Sequence, residues 1–144
     1  ELLPLNKMKI TIKNLQNKLP LGQTKIKNLI RRILKGENIT ASGWINICFV
    51  DNALIKKFNS KFLKSRSSTD VLAFNLGNKG KIMLADIMIS TDQAILQARS
   101  FKTTPGYELL LYVAHGLLHI LGFDDHSPEQ TKLMRKKESE YVDR

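Results

Sequence analysis

All three histidines of this 144-residue sequence lie in one short segment, from His115 to His126. In a helix, four residues advance about 400° around the axis and about 6 Å along it. His115 and His119 therefore share a helix face and can bind one metal ion. Gly122 lets the chain leave the helix and turn back, which would bring His126 to the same ion. Three nitrogen ligands with one open position are typical of a catalytic zinc site, where bound water supplies hydroxide near neutral pH.

The residues around the histidines favour metal binding over an ordinary helical histidine pair. Their neighbours on the helix are apolar, and two imidazoles buried on such a helix without partners would be costly. These apolar neighbours are Val113, Ala114, Leu117, Leu118, Ile120 and Leu121. The sequence therefore predicts a metal site on a buried helix.

The residue after the first histidine argues against a peptidase. Zinc proteases with an H-E-x-x-H motif use the glutamate beside the first histidine as general base. Gly116 occupies that position here, and Asp124, Asp125 and Glu108 lack the same spacing. No other residue identifies itself from the sequence as the catalytic acid or base.

The net charge of +10 is unevenly distributed along the chain. Residues 1–81 contain sixteen basic and four acidic residues, whereas residues 82–126 contain two basic and five acidic residues. Such a field favours a polyanionic partner, nucleic acid before membrane. A lysine-rich surface that serves only solubility is the alternative, and Arg31, Arg32 and Lys35 are interpreted as a solvated helix face.

Local signals predict the elements that must position the histidines. Apolar runs predict strands at 9–12, 44–50, 71–74 and 82–89, with a turn-rich connection at 75–80. Helix signals are the periodic segment 24–35 with Gly36 as its stop, and N-caps at Asp51, at Ser90 or Thr91, at Thr104 and at Ser127.

The mixed order of these elements predicts the α+β class: one domain, 1–144, with a small mixed β-sheet packed by helices and a central buried helix carrying the histidines. Met8 is a candidate initiator, which would make residues 1–7 an extension.

Composition also limits the compartment and the partners. Cys48 is the only cysteine, so an intramolecular disulfide and a cysteine-based zinc site are excluded. No apolar stretch approaches the roughly 20 residues of a membrane span, and the start lacks the pattern of a signal peptide. We therefore expect a cytoplasmic protein with no membrane partner and no disulfide-linked partner.

Three segments carry a resemblance to a known family. Residues 115–124 (HGLLHILGFD) resemble the signature of the YbeY-type endoribonucleases, bacterial rRNA maturation factors with a zincin-like helix. Residues 68–74 (STDVLAF) and 85–90 (ADIMIS) resemble the PTDVLSF and GDIxIS stretches of that family, in the same order. The likeness covers roughly residues 45 to 140. It implies a single-strand-specific, metal-dependent endoribonuclease of rRNA maturation and ribosome quality control, with one divalent ion, usually zinc, and with RNA and ribosomal particles as partners.

Two departures from the family pattern affect the site. The family commonly spaces its histidines H-x3-H-x5-H, whereas the last gap here is six residues, so Asp125 occupies the usual third ligand position. His126 is our predicted third ligand, with Asp125 as the chemically acceptable alternative. The arginine expected before the TDV motif is replaced by Leu63, and Lys64 and Arg66 are the candidate substrate-binding residues.

Two aspartates and two further functions stay open at this point. Asp70 and Asp86 could cap turns or strand ends, or could orient a ligand imidazole. A non-catalytic, RNA-binding ribosome-assembly factor with a structural metal is the alternative function, and a metallopeptidase is the third.

Overall fold

A computed structural model describes residues 7–63, 71–79 and 82–142. Within them, the helices and strands are β1 (Met8–Asn14), α1 (Gln23–Gly36), β2 (Ser42–Val50), α2 (Asn52–Leu63), β3 (Val71–Lys79), β4 (Ile82–Ser90), α3 (Thr91–Phe101), α4 (Pro105–Ile120) and α5 (Pro128–Tyr141).

The strands form one mixed sheet in the order β1-β2-β4-β3. β1, β2 and β4 run parallel, and β3 pairs antiparallel with β4. On β2, Ile45, Ile47 and Phe49 alternate into the core with at most 1% exposure, as expected for a strand with one fully buried face. The predicted α+β class and mixed sheet are confirmed.

Helix α1 covers this sheet with the apolar stripe predicted from its spacing. Its buried residues are Ile26, Leu29, Ile30, Ile33 and Leu34. Burying each such side chain contributes roughly 1.5–3 kcal/mol. Arg31, Arg32 and Lys35 are exposed on the opposite face, as expected. The helix includes Gly36, and the left-handed residue that follows is Asn38, with φ of 56°.

Helix α4 is the central helix, and local signals set both of its ends. Thr104 accepts a hydrogen bond from the Tyr107 N–H at 3.1 Å, and Pro105 occupies the first turn. At the other end, the Phe123 N–H donates to the Leu118 carbonyl at 3.0 Å and the Gly122 N–H to that of His119 at 3.0 Å. This pair of bonds is a Schellman motif, and Gly122 supplies its positive φ of 108°.

The remaining caps agree with the sequence, while one strand is longer than predicted. Asp51, Ser90 and Ser127 cap α2, α3 and α5, respectively. The predicted turn over 75–80 is wrong for residues 75–79, because they continue β3 and pair with β4 across a register shift between Asn75 and Gly77. Non-local pairing overrides the local turn propensity there.

Several sequence predictions fall at or beyond the edges of the described residues. Lys7, placed in the predicted extension, donates its N–H to the Ser42 hydroxyl and accepts from the Gly43 N–H. Residues 68–70, the start of the STDVLAF segment, lie outside the described residues. No helix among the described residues is long and apolar enough to cross a membrane.

Candidate metal centre

Helix α4 carries His115 and His119 side by side in its C-terminal half. The two rings lie 4.8 Å apart between centroids in an edge-to-face arrangement. Their side chains are 28% and 29% exposed, while Ala114, Leu117 and Leu118 beside them are fully buried. The helix therefore faces the core on one side and holds both imidazoles at the protein surface on the other.

Asp125 completes a group of ligand atoms that lie within 4.8 Å of one another. One carboxylate oxygen is 3.5 Å from the Nε2 of His115, and the other is 3.5 Å from the Nε2 of His119. Two atoms bonded at about 2.0–2.1 Å to one tetrahedral ion lie about 3.3 Å apart. The spacing of these donors therefore fits a single small divalent ion.

The loop after α4 is fixed by hydrogen bonds from both sides of Asp125. The Schellman turn at Gly122 reverses the chain, and the Thr131 hydroxyl donates to the Asp125 carbonyl at 3.1 Å. Ser127 and Gln130 then form a capping box at the start of α5. The turn-back predicted from Gly122 is present, and it delivers Asp125 to the histidines.

The structure places His126 elsewhere. Its backbone N–H donates to the Gln130 side chain at 3.0 Å, and its exposed side chain lines an open pocket with Lys132 and Arg135. Among the residues the structure describes, the ligand group consists of His115, His119 and Asp125, and His126 does not belong to it. His126 as the third ligand stays a prediction.

Glu138 contacts the centre from α5 and was not found from the sequence. Its Oε2 lies 2.6 Å from the Nδ1 of His115, and its side chain is only 15% exposed. The available signal was its position between Met134 and Val142, the buried residues one turn before and one turn after it. An acidic residue on the inward stripe of a helix needs a partner, and here the partner is a histidine.

A second cluster docks α5 against the end of α1. The Tyr141 hydroxyl and the Lys137 ammonium both donate to the Glu37 carboxylate, the latter at 2.9 Å. Burial and the Glu37 hydrogen bond raise the pKa of Tyr141 to about 12. Burial acts to raise the pKa of Glu37, but the hydrogen bonds from Tyr141 and Lys137 outweigh it and hold this pKa below its usual value. These contacts fix the helix that carries Glu138.

Asp86 faces away from the histidines. It accepts a hydrogen bond from the Asn46 amide at 3.0 Å. Its neighbours Ala85 and Ile87 point into the core that contains α4, so Asp86 lies on the other face of the sheet. This placement supports its structural role.

On the same sheet face, burial raises the pKa of the Cys48 thiol, in line with a cysteine that acts as a small hydrophobic residue. The substrate candidates Lys64 and Arg66, together with Asp70, lie outside the described residues.

Comparison with known proteins agrees with this architecture. Residues 11–144 match the family described as Endoribonuclease YbeY. The Endoribonuclease YbeY of Pelotomaculum thermopropionicum is 31% identical, over 95% of this chain and 97% of the relative. That of Carboxydothermus hydrogenoformans is 32% identical, over 91% and 93%. The solution structure of TM1509 from Thermotoga maritima superposes with a TM-score of 0.61 at 28% identity, covering 94% of this chain and 86% of that one. The chain therefore belongs to the YbeY family of endoribonucleases.

Proposed function

We propose that this chain hydrolyses phosphodiester bonds of single-stranded RNA, using one divalent cation held at the end of α4. Membership of the YbeY family makes the chain an endoribonuclease of rRNA maturation. We extend this to ribosomal particles as its targets, to ribosome quality control as its role and to the cytoplasm as its place of action. The peptidase alternative lacks support, because the buried Gly116 stands where a peptidase has its general base.

The observation that carries this proposal is the convergence of three donor atoms at a solvent-accessible position. Structural zinc sites are closed by four protein ligands, whereas catalytic sites have three and leave one position open. The three side chains here are 28%, 29% and 35% exposed. This openness favours a catalytic metal over the structural metal of an assembly factor.

We propose zinc as the ion and Asp125 as the third ligand. Two imidazole nitrogens and one carboxylate oxygen suit zinc, which accepts both donor types. A divalent ion there polarises phosphoryl oxygens and lowers the pKa of a coordinated water. His126, the third ligand predicted from the sequence, remains the alternative; its exposed side chain lies beside Lys132 and Arg135.

We propose that RNA is drawn to the centre by basic residues. Lys132 and Arg135 are exposed on α5 beside the loop that carries Asp125. Lys64 and Arg66 remain the substrate-binding residues proposed from the sequence. Cations close to a scissile phosphate stabilise the charge that develops on it.

Metal analysis of the purified protein, combined with cleavage assays, tests this function. We expect one divalent ion per chain, cleavage of single-stranded RNA, slower cleavage of duplex RNA and loss of both metal and cleavage in His119→Ala. Metal binding without cleavage of any single-stranded substrate would support the assembly factor instead. A protein without metal, together with an unaffected His119→Ala variant, would exclude the site.

A further inference from the structure

We propose that Glu138 is a positioning residue that holds the His115 imidazole with its Nε2 directed at the metal. This inference rests on the proposed function, since it needs an ion between the histidines. The two nitrogens of His115 face different groups: Nδ1 lies 2.6 Å from Glu138, and Nε2 lies 3.5 Å from Asp125. Only one of these nitrogens can bear the proton in a neutral ring.

The short contact to Glu138 decides which nitrogen that is. A carboxylate accepts hydrogen bonds, so the Nδ1 of His115 donates and the Nε2 lone pair is left for the ion. The negative charge on Glu138 also increases the electron density of the ring and strengthens Nε2 as a ligand. A carboxylate behind a ligand histidine therefore fixes the tautomer, the ring orientation and the affinity together.

Glu138 is held in this position by the packing of α5. Met134, one turn before it, and Val142, one turn after it, are 2% and 1% exposed. The adjacent Lys137 is engaged by Glu37. By contrast, Glu140 is exposed on the same helix. The contact thus belongs to a docked helix face and is not a mobile surface ion pair.

A consequence is that docking of the C-terminal helix and metal binding are linked. If α5 must be in place for Glu138 to reach His115, then α5 raises metal affinity, and by reciprocity the metal stabilises the docked α5. No residue of α5 needs to bind the ion itself for this coupling to operate.

Metal titration of two Glu138 variants tests the proposal. We expect Glu138→Ala to weaken zinc affinity by about 10–100-fold, measured by competition with a chromophoric chelator. Glu138→Gln retains an oxygen that accepts a hydrogen bond from Nδ1–H but loses the negative charge, so we expect a smaller loss of zinc affinity. Glu140→Gln, which removes one charge from the same helix, is the matched control and should bind zinc as the unmodified chain does.

The tautomer of His115 in the metal-free protein gives a second readout, which a role in packing alone would not move. ¹⁵N spectra should show the Nδ1–H form in the unmodified chain and in Glu138→Gln, and a shift towards the Nε2–H form in Glu138→Ala. Unchanged zinc affinity in Glu138→Ala overturns the inference. If the alanine variant does not fold, unchanged zinc affinity in Glu138→Gln overturns it instead. An unmodified chain that binds no zinc would overturn the proposed function itself.

Discussion

Asp125 and His126 compete for one ligand position although they are adjacent in sequence. The chain bends at His126, and the two neighbouring side chains lie against different groups. The carboxylate of Asp125 faces both histidines, whereas the His126 side chain lies beside Lys132 and Arg135. In this geometry the ligand group contains Asp125, the residue at the family's usual third position, and does not contain His126.

The first prediction compares these two neighbours. Asp125→Ala should lose at least about 100-fold in zinc affinity, more than the loss of an outer-shell partner. His126→Ala should bind zinc within a few-fold of the unmodified chain, because its side chain lies outside the ligand group. Chelator competition measures both. The reverse ranking would mean that His126 is the third ligand and that the loop rearranges on binding.

At the residue scale, the sequence predicted the contacts between residues close together in the chain and missed those between distant residues. The spacing of His115 and His119 within one helix was enough to place both rings. The choice of His126 as third ligand rested on residue type, because spacing along the chain does not show which of two adjacent residues, Asp125 or His126, faces the two helical histidines. Glu138 is 23 residues from its partner, and no local pattern relates the two.

Asp92, near the start of α3, connects this helix to α2 and to the loop between β1 and α1. Its carboxylate accepts the Asn52 N–H of α2 at 2.8 Å and the ammonium of Lys18 at 2.8 Å. The hydrogen bond from Lys18, together with the backbone hydrogen bond, holds the pKa of Asp92 below its usual value. Because the folded-state pKa is lower, the stabilisation is complete above the unfolded pKa of about 3.9 and is lost as pH falls through the folded value.

The second prediction follows from this linkage. Asp92→Asn should lower the free energy of unfolding at pH 7 by about 1–2 kcal/mol, mainly through the weakened hydrogen bond to the α2 backbone. The loss of stability between pH 5 and pH 2 should also be shallower than in the unmodified chain. Urea unfolding across that range measures both effects. An identical pH profile would show that Asp92 does not carry this linkage.

The third prediction uses two helical glycines with opposite surroundings. A Cβ at Gly36 would overlap the Tyr141 ring and hydroxyl, whereas one at Gly106 would meet nothing within 4 Å. Alanine normally stabilises a helix by up to about 1 kcal/mol relative to glycine. Gly106→Ala should follow that rule. Gly36→Ala should instead destabilise by about 1–3 kcal/mol, because it forces Tyr141 away from Glu37.

Thermal melting of the two glycine variants provides the measurement. A stabilised Gly36→Ala protein would show that Tyr141 moves freely and that the Glu37 cluster does not fix α5.

The Glu37 cluster could not be predicted from the sequence, because its members are about 100 residues apart. The helix caps at Thr104 and Ser127 could be predicted, because each joins residues that are only three apart in the sequence.

At the scale of the whole molecule, the positive charge and the candidate metal ligands lie in different parts of the chain. Residues 1–81 hold most of the positive charge, while residues 82–126 contain the histidines and are acidic on balance. Long-range attraction of a polyanion depends on the summed field, whereas bond cleavage depends on a few atoms at the end of α4. Substitutions should therefore separate RNA binding from RNA cleavage.

The last prediction is a crossed pattern between the two properties. Each phosphate neutralised on a single strand contributes about −0.7 to the slope of log affinity against log salt. Replacing Lys64 and Arg66 together by alanine should make that slope shallower and slow cleavage, while zinc stays bound. His115→Ala should abolish cleavage and leave most RNA binding intact. Arg31→Ala with Lys35→Ala removes the same charge from the exposed face of α1 and is the matched control. If this control changes the salt slope as much as the Lys64 and Arg66 pair does, RNA responds to net charge alone, and those two residues form no specific contact.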